Sequence, residues 1–124
     1  MKTILIVDDE PDFVSLLQDN LESRGYRVLT AHEGVRGIET AHKSKPDLIL
    51  LDLKMPAGTG QSVLQALKGH AETRTIPVII ITAFVGPQLK EEMKKLGAKD
   101  FFTKPFDTEM LLATIESLLS PSAV

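Results

Sequence analysis

The chain has 124 residues, 43% hydrophobic and 25% charged, enough for one domain with a real core and too few for two ordinary ones. The 14 Lys and Arg against 17 Asp and Glu leave a formal charge of −3, so no global field draws the chain to DNA or to anionic lipid. There is no cysteine, which excludes disulfides, thiolate metal sites and cysteine nucleophiles.

The opening MKTILIVDDEP turns acidic after the short run TILIV (3–7), too brief for a signal-peptide core or a membrane span. The expectation is a cytoplasmic protein and a first β-strand at 3–7. Phe13, Leu16, Leu17 and Leu21 then repeat at helical spacing, with Pro11 opening the helix and Gly25 closing it. RVLTA (27–31) reads as a second strand, and its Arg27 and Thr30 mark it as an edge. Val35, Ile38 and Ala41 outline a second helix, expected to be short because it carries Gly34 and Gly37. LILL (48–51) is the third strand, followed by a helix marked by Val63, Leu64 and Leu67. VIIIT (78–82) is the fourth, followed by a helix marked by Leu89, Met93 and Leu96 and ended by Gly97. DFFT (100–103) is the fifth, and Met110, Leu111, Ile115, Leu118 and Leu119 mark a last helix that Pro121 ends. Alternating strands and helices imply right-handed βαβ units on a parallel sheet. Strands one, three and four are apolar throughout, as strands covered on both faces must be. The domain is expected at 1–120, with SPSAV leading into a tail or the start of a linker at 121–124.

In such a sheet, ligands gather outside the carboxyl ends of the strands. The residues that follow the runs are Asp8 and Asp9, Asp52, Thr82 with Ala83, and Lys104 with Pro105. Each has a bland alternative. Asp8 and Asp9 could favour a helix dipole, Asp52 could start a turn at MPAG, Thr82 could be a strand residue, and Lys104 a solvated surface charge. Those readings do not explain why all four strand ends converge on one chemistry. Three neighbouring carboxylates need counter-charge. Lys104 supplies one unit, and an all-oxygen set without His or Cys suits Mg²⁺. Carboxylates, Mg²⁺, a Lys and a Thr hydroxyl make a phosphoryl-transfer site with Asp52 as nucleophile.

ILIVDDEP, PDLILLDLKMPAGTG, PVIIITA and GAKDFFTKPF, in this order and spacing, resemble the receiver domain of two-component response regulators over essentially the whole chain. The resemblance implies a flavodoxin-like doubly wound (βα)5 fold with strand order 2-1-3-4-5, an order for which the chemotaxis member of that family is a standard example. It implies that Asp52 accepts phosphate from a histidine kinase or a histidine phosphotransfer protein. Asp9, Asp52 and the backbone carbonyl of Lys54 would bind Mg²⁺ directly, and Asp8 through water. Thr82 and Lys104 would contact the phosphoryl oxygens. Thr82 and Phe102 would form the switch, and Lys104-Pro105 would be cis. Lys54 and Phe84 would flank the phosphoryl group. The implied partners are that kinase or phosphotransfer protein, a downstream effector or attached output domain, and a second copy on phosphorylation. The domain itself would touch neither nucleic acid nor membrane, and it would be a signalling switch rather than an enzyme. The last helix lacks the Arg common in regulators that carry a winged-helix DNA-binding domain.

Three rival readings fit less well. An aspartyl-phosphate phosphatase or mutase usually carries a second Asp two residues after the nucleophile, where this chain has Lys54. A mononucleotide binder needs a Gly/Ser/Thr phosphate cradle after strand one, where this chain has DDEPD. A receiver that only binds and takes no phosphate usually lacks part of the Asp and Lys set, which is complete here. GTGQSV imitates a dinucleotide fingerprint but has Val63 at the third glycine and no strand directly before Gly58. His32, His42 and His70 show no metal-ligand spacing and are expected to be exposed.

Overall fold

The structure is a computed structural model of the chain and describes residues 1–54, 59–83 and 86–120. Five strands, β1 (Thr3–Val7), β2 (Arg27–Ala31), β3 (Leu48–Leu51), β4 (Val78–Thr82) and β5 (Asp100–Thr103), alternate with five helices. These are α1 (Pro11–Ser23), α2 (Gly34–Ser44), α3 (Gly60–Lys68), α4 (Leu89–Lys95) and α5 (Thr108–Leu119). All four strand pairings are parallel, in the order β2-β1-β3-β4-β5. This is the doubly wound α/β architecture read from the alternation of patterns. Residues 55–58 (MPAG), Phe84 and the tail at 121–124 lie outside the described residues.

Strand side chains alternate between the two faces of a sheet, and the core divides accordingly. Leu5, Val7, Ile49, Leu51, Val78 and Ile80 pack with α2, α3 and α4. Ile4, Ile6, Leu48, Leu50, Ile79 and Ile81 pack with α1 and α5. β3 and β4 are buried at every position, which is why their sequences are continuous aliphatic runs rather than alternating ones. β2 is an edge strand as expected, and β5, half-buried along its length, is the other.

Helix faces show where periodicity alone misleads. In α1 the buried stripe is Val14, Leu17 and Leu21, flanked by the partly buried Phe13, while Leu16 is 64% exposed. In α2 the buried residues are Gly34, Gly37 and Ala41, and Val35 points to solvent. That helix runs 11 residues, so the expectation of a short helix fails, and Gly37 is the reason it fits. A Cβ on Gly37 would lie 2.8 Å from a methyl of Val7. The glycine therefore lets α2 sit against β1, and packing outweighs its poor helix propensity. Met110 of α5 is likewise exposed, and Leu111, Leu112 and Ile115 carry the contact.

The turns that deliver chain to the rim use local chemistry. Pro11 occupies the start of α1, where a missing N–H costs nothing. Asp107 caps α5 by accepting from the Glu109 and Met110 amides at 2.9 and 3.3 Å. Thr59 caps α3 by accepting from the Ser62 amide at 3.2 Å.

Candidate functional site

Because every strand is parallel, the residues that follow β1, β3, β4 and β5 arrive at one edge of the sheet. Backbone bonds continue the ladder past the strand ends and fix two of the carboxylates. The Asp8 amide donates to the Ala31 carbonyl at 3.0 Å, and the Asp52 amide to the Val7 carbonyl at 3.0 Å. Asp8, Asp52 and Thr82 are buried, with 2%, 4% and 0% of their surface exposed. Three polar groups at such depth, on three adjacent strands, are costly unless they are mutually satisfied.

Lys104 is the partner of the carboxylates. Its Nζ lies 2.8 Å from Asp8 Oδ2, 2.8 Å from Glu10 Oε1 and 3.5 Å from Asp52 Oδ2. The ammonium also sits 4.1 Å from the centroid of the Phe13 ring, a cation–π contact. Its side chain is only 12% exposed, so the reading of Lys104 as a solvated surface charge does not hold. The Lys104 amide donates to the Thr82 carbonyl at 2.8 Å, and the Lys104-Pro105 bond is cis.

The electrostatics follow from burial and pairing. Burial pushes the Asp8 carboxyl above its ordinary value, against the opposing pull of Lys104 and of the Glu10 amide, which donates to Asp8 at 2.9 Å. Burial pulls Lys104 down, but hydrogen bonds to Asp8 and Glu10 and the charges of Asp8 and Asp52 outweigh it, so its pKa is raised. The two directions agree. One cation faces three carboxylates, so it is held charged, while the most buried of its partners remains incompletely compensated.

Of the expected site residues, the structure brings Asp8, Asp52 and Lys104 together and puts Thr82 at the same strand ends. The Lys54 amide donates to Asp52 Oδ1 at 3.1 Å, so residue 54 contacts the Asp52 carboxylate through its own backbone. Asp9 is exposed and stands outside the acidic group, in which one oxygen each from Asp8, Glu10 and Asp52 lie within 4.8 Å of one another. Glu10 is thus a site residue that the pattern reading passed over. Its only signal was its place beside the Asp pair in DDEP, and the direction of a side chain in a turn before a proline is not periodic. Phe102 is half-buried, packing on the core and meeting Phe106 edge-to-face at 6.1 Å. Among the histidines, His32 and His70 are exposed as expected, whereas His42 is half-buried beside His70, with ring centroids 5.1 Å apart.

Gly60 fixes the approach of α3 to this rim. A Cβ there would collide with the Asp52 carbonyl oxygen and the Leu53 Cα. The start of the helix is therefore pressed onto the backbone of the acidic strand end. The glycine that imitated part of a nucleotide fingerprint serves helix–strand packing.

The sequence model of the family described as Response regulator receiver domain matches residues 4–116. The chain belongs to the response-regulator receiver family. Among relatives of this receiver domain, Protein PilH of Pseudomonas aeruginosa is 42% identical over 120 residues, covering 97% of this chain and 99% of that protein. The DNA-binding dual master transcriptional regulator RpaA of a Synechocystis strain is 43% identical over 119 residues, covering 96% of this chain. The receiver spans about half of RpaA, 49% of its length. Among solved structures, the receiver domain of sensor histidine kinase PA1611 from P. aeruginosa, with magnesium coordinated in its active-site cleft, superposes with a TM-score of 0.85 at 28% identity. That match covers 94% of this chain and 96% of that one. The domain is thus a two-component signalling receiver with an acidic cluster of a kind that could bind a metal ion. Among the described residues no helix is long and apolar enough to cross a membrane.

Proposed function

We propose that this receiver takes a phosphoryl group from a phosphohistidine, on a histidine kinase or histidine phosphotransfer protein, onto Asp52, and that the acyl phosphate reshapes a partner-binding face. One observation carries the reading: a carboxylate buried at a strand end, 3.5 Å from a lysine ammonium and in one oxygen cluster with two further carboxylates. An Asp52 oxygen attacks phosphorus in line. The new P–O bond forms as the P–N bond breaks, and the imidazole nitrogen leaves with the electron pair. Lys104 moves its charge from the carboxylates toward the oxygens of the arriving group, and the Thr82 hydroxyl joins them.

Carboxylate oxygens with a single lysine and no His or Cys donor fit a hard divalent cation, Mg²⁺ in this reading. By the resemblance, Asp9, Asp52 and the Lys54 carbonyl would hold it directly and Asp8 through water, while Glu10 enters through its proximity. A cation held there would supply charge to neutralise what develops on the transferring group.

Once Asp52 is phosphorylated, Thr82 is drawn to the new oxygens and Phe102 repacks into the space vacated, shifting a pre-existing equilibrium. The face of α4, β5 and α5 then meets a downstream effector, an attached output domain or a second copy of the domain. The receiver is a switch that assists its own phosphorylation and dephosphorylation, working in the cytoplasm without touching nucleic acid or membrane itself. Residues 1–120 would form this switch and 121–124 a tail or the start of a linker. Incubated with Mg²⁺ and acetyl phosphate, the protein should gain one base-labile phosphoryl group and Asp52→Asn none. Equal labelling of that variant would sink the assignment.

A further inference from the structure

The end of the sheet remote from Asp52 carries a cleft of about 480 Å³, at the start of β4, the turn into β5 and the C-terminal ends of α3 and α5. Its charged lining is wholly cationic, Lys68, Arg74 and Lys99, with the Thr75 hydroxyl among them. The chain as a whole carries −3, yet among the described residues none of these three cations forms an ion pair.

Lys68 is not a free surface lysine. Its Nζ donates to the Arg74 carbonyl at 3.0 Å and the Ile76 carbonyl at 2.7 Å. Its stem lies so close to Gly97 that a Cβ there would come within 2.9 Å of Lys68 Cγ, and Gly97 has a φ of +111°. An ammonium has three N–H donors, so one remains after the two backbone bonds. The cation is therefore fixed before any ligand arrives. Burial lowers the Lys68 pKa, and the neighbouring charge of Lys99 lowers it further. Like charges gathered without a counter-ion are relieved by an anion.

We propose that this basal cleft is an oxyanion site, holding the phosphate groups of a small molecule between Lys68, Arg74 and Lys99. Three cations match a multiply charged oxyanion better than a single carboxylate, and the guanidinium of Arg74 suits a phosphate bidentately. The cleft, about 480 Å³, has room for a diphosphate group. The site is independent of the phosphoacceptor reading, because it lies at the other end of the strands. It needs no metal, whereas the acidic rim repels a bare phosphate.

Titration of the isotope-labelled full chain with inorganic pyrophosphate, in a chelator that removes divalent cations and at about 0.15 M salt, tests it by NMR. Saturable shifts are expected at the Thr75, Gly97 and Lys99 amides with Asp8 and Asp52 unmoved, and with a Kd below about 1 mM. The Arg74→Gln/Lys99→Gln double variant, which leaves the Lys68 backbone bonds in place, should bind at least tenfold more weakly with an otherwise unchanged spectrum. A parallel titration with ADP separates the sources of the ligand. Tighter binding than pyrophosphate names a nucleotide, and equal binding names the phosphate groups alone. Shifts that do not saturate and spread over the other lysines, or a double variant that binds as well as the parent, would overturn the proposal.

Discussion

Replacing Lys104 with methionine tests whether the acidic rim is a coupled electrostatic unit. In a medium of effective dielectric about 20, unit charges at 2.8 Å attract by about 6 kcal/mol and at 3.5 Å by about 5 kcal/mol. Lys104 makes two contacts of the first kind, to Asp8 and Glu10, and one of the second, to Asp52. The Glu10 side chain is 59% exposed, so that pair is screened and contributes at most about 1 kcal/mol. Desolvation of the ammonium offsets most of the rest. What remains is the cost of leaving the buried Asp8 and Asp52 carboxylates without a cation, about 3 kcal/mol, the low end of what removing one partner of a buried pair costs. Without divalent cations at pH 7, the urea midpoint of Lys104→Met should fall by about 1.5–2 M for a protein of this size. The deficit should shrink on acidification toward pH 4, because unpaired carboxylates take up protons more readily in the folded state. The variant should also bind Mg²⁺ at least as tightly as the parent, since the ion replaces the lost charge, although signalling through the phosphoryl group fails. An unchanged urea midpoint would refute the coupling.

Asp8→Asn probes the same unit with the opposite sign. A carboxyl raised by burial is stabilising below its ordinary value of 3.8 and loses that contribution as pH rises through its folded value. The variant should therefore be more stable than the metal-free parent at pH 7, lose the advantage below about pH 3.8, and bind Mg²⁺ more weakly; lower stability at pH 7 in urea titrations would contradict this. Gly60→Ala should cost about 1–3 kcal/mol and slow labelling by acetyl phosphate, since its methyl displaces α3 from the Asp52 backbone; parent-like melting and labelling would show that the close approach is dispensable. Thr82→Ala should still accept phosphate on Asp52 yet lose the NMR shifts that beryllofluoride, a phosphoryl mimic, induces at Phe102 and α4. Parent-like shifts would remove Thr82 from the switch.

The strands were legible because burial on both faces leaves an unambiguous record. LILL and VIIIT are aliphatic at every position, and their limits in the structure, Leu48–Leu51 and Val78–Thr82, coincide with the runs. Once strands and alternation are known, parallel topology forces Asp8, Asp52, Thr82 and Lys104 to one rim. Helix faces were less legible, since periodicity counts apolar residues and not contacts. Val35 matches the period of α2, but the buried face of that helix is made of Gly34, Gly37 and Ala41, where small size matters more than hydrophobicity. Side-chain direction in turns has no period at all. For that reason Asp9 was expected among the clustered carboxylates, and Glu10, which reaches Lys104 at 2.8 Å, was not. Motif resemblance supplied the switch role proposed for Phe102 and the expectation of a cis bond before Pro105, which the structure has and which no argument from composition reaches. The basal cations were invisible for a different reason: Lys68, Arg74 and Lys99 lie on separate segments and meet only in three dimensions.

The most direct measurement is chemical mapping of the acceptor. Borohydride reduces an aspartyl phosphate to homoserine, so protein treated with acetyl phosphate and Mg²⁺, reduced and digested, reports the phosphorylated position by peptide mass. Homoserine should appear at position 52, only when donor and Mg²⁺ are both present. Homoserine at position 8 or 9 instead, or none at 52 under conditions that label the intact protein, would contradict the account.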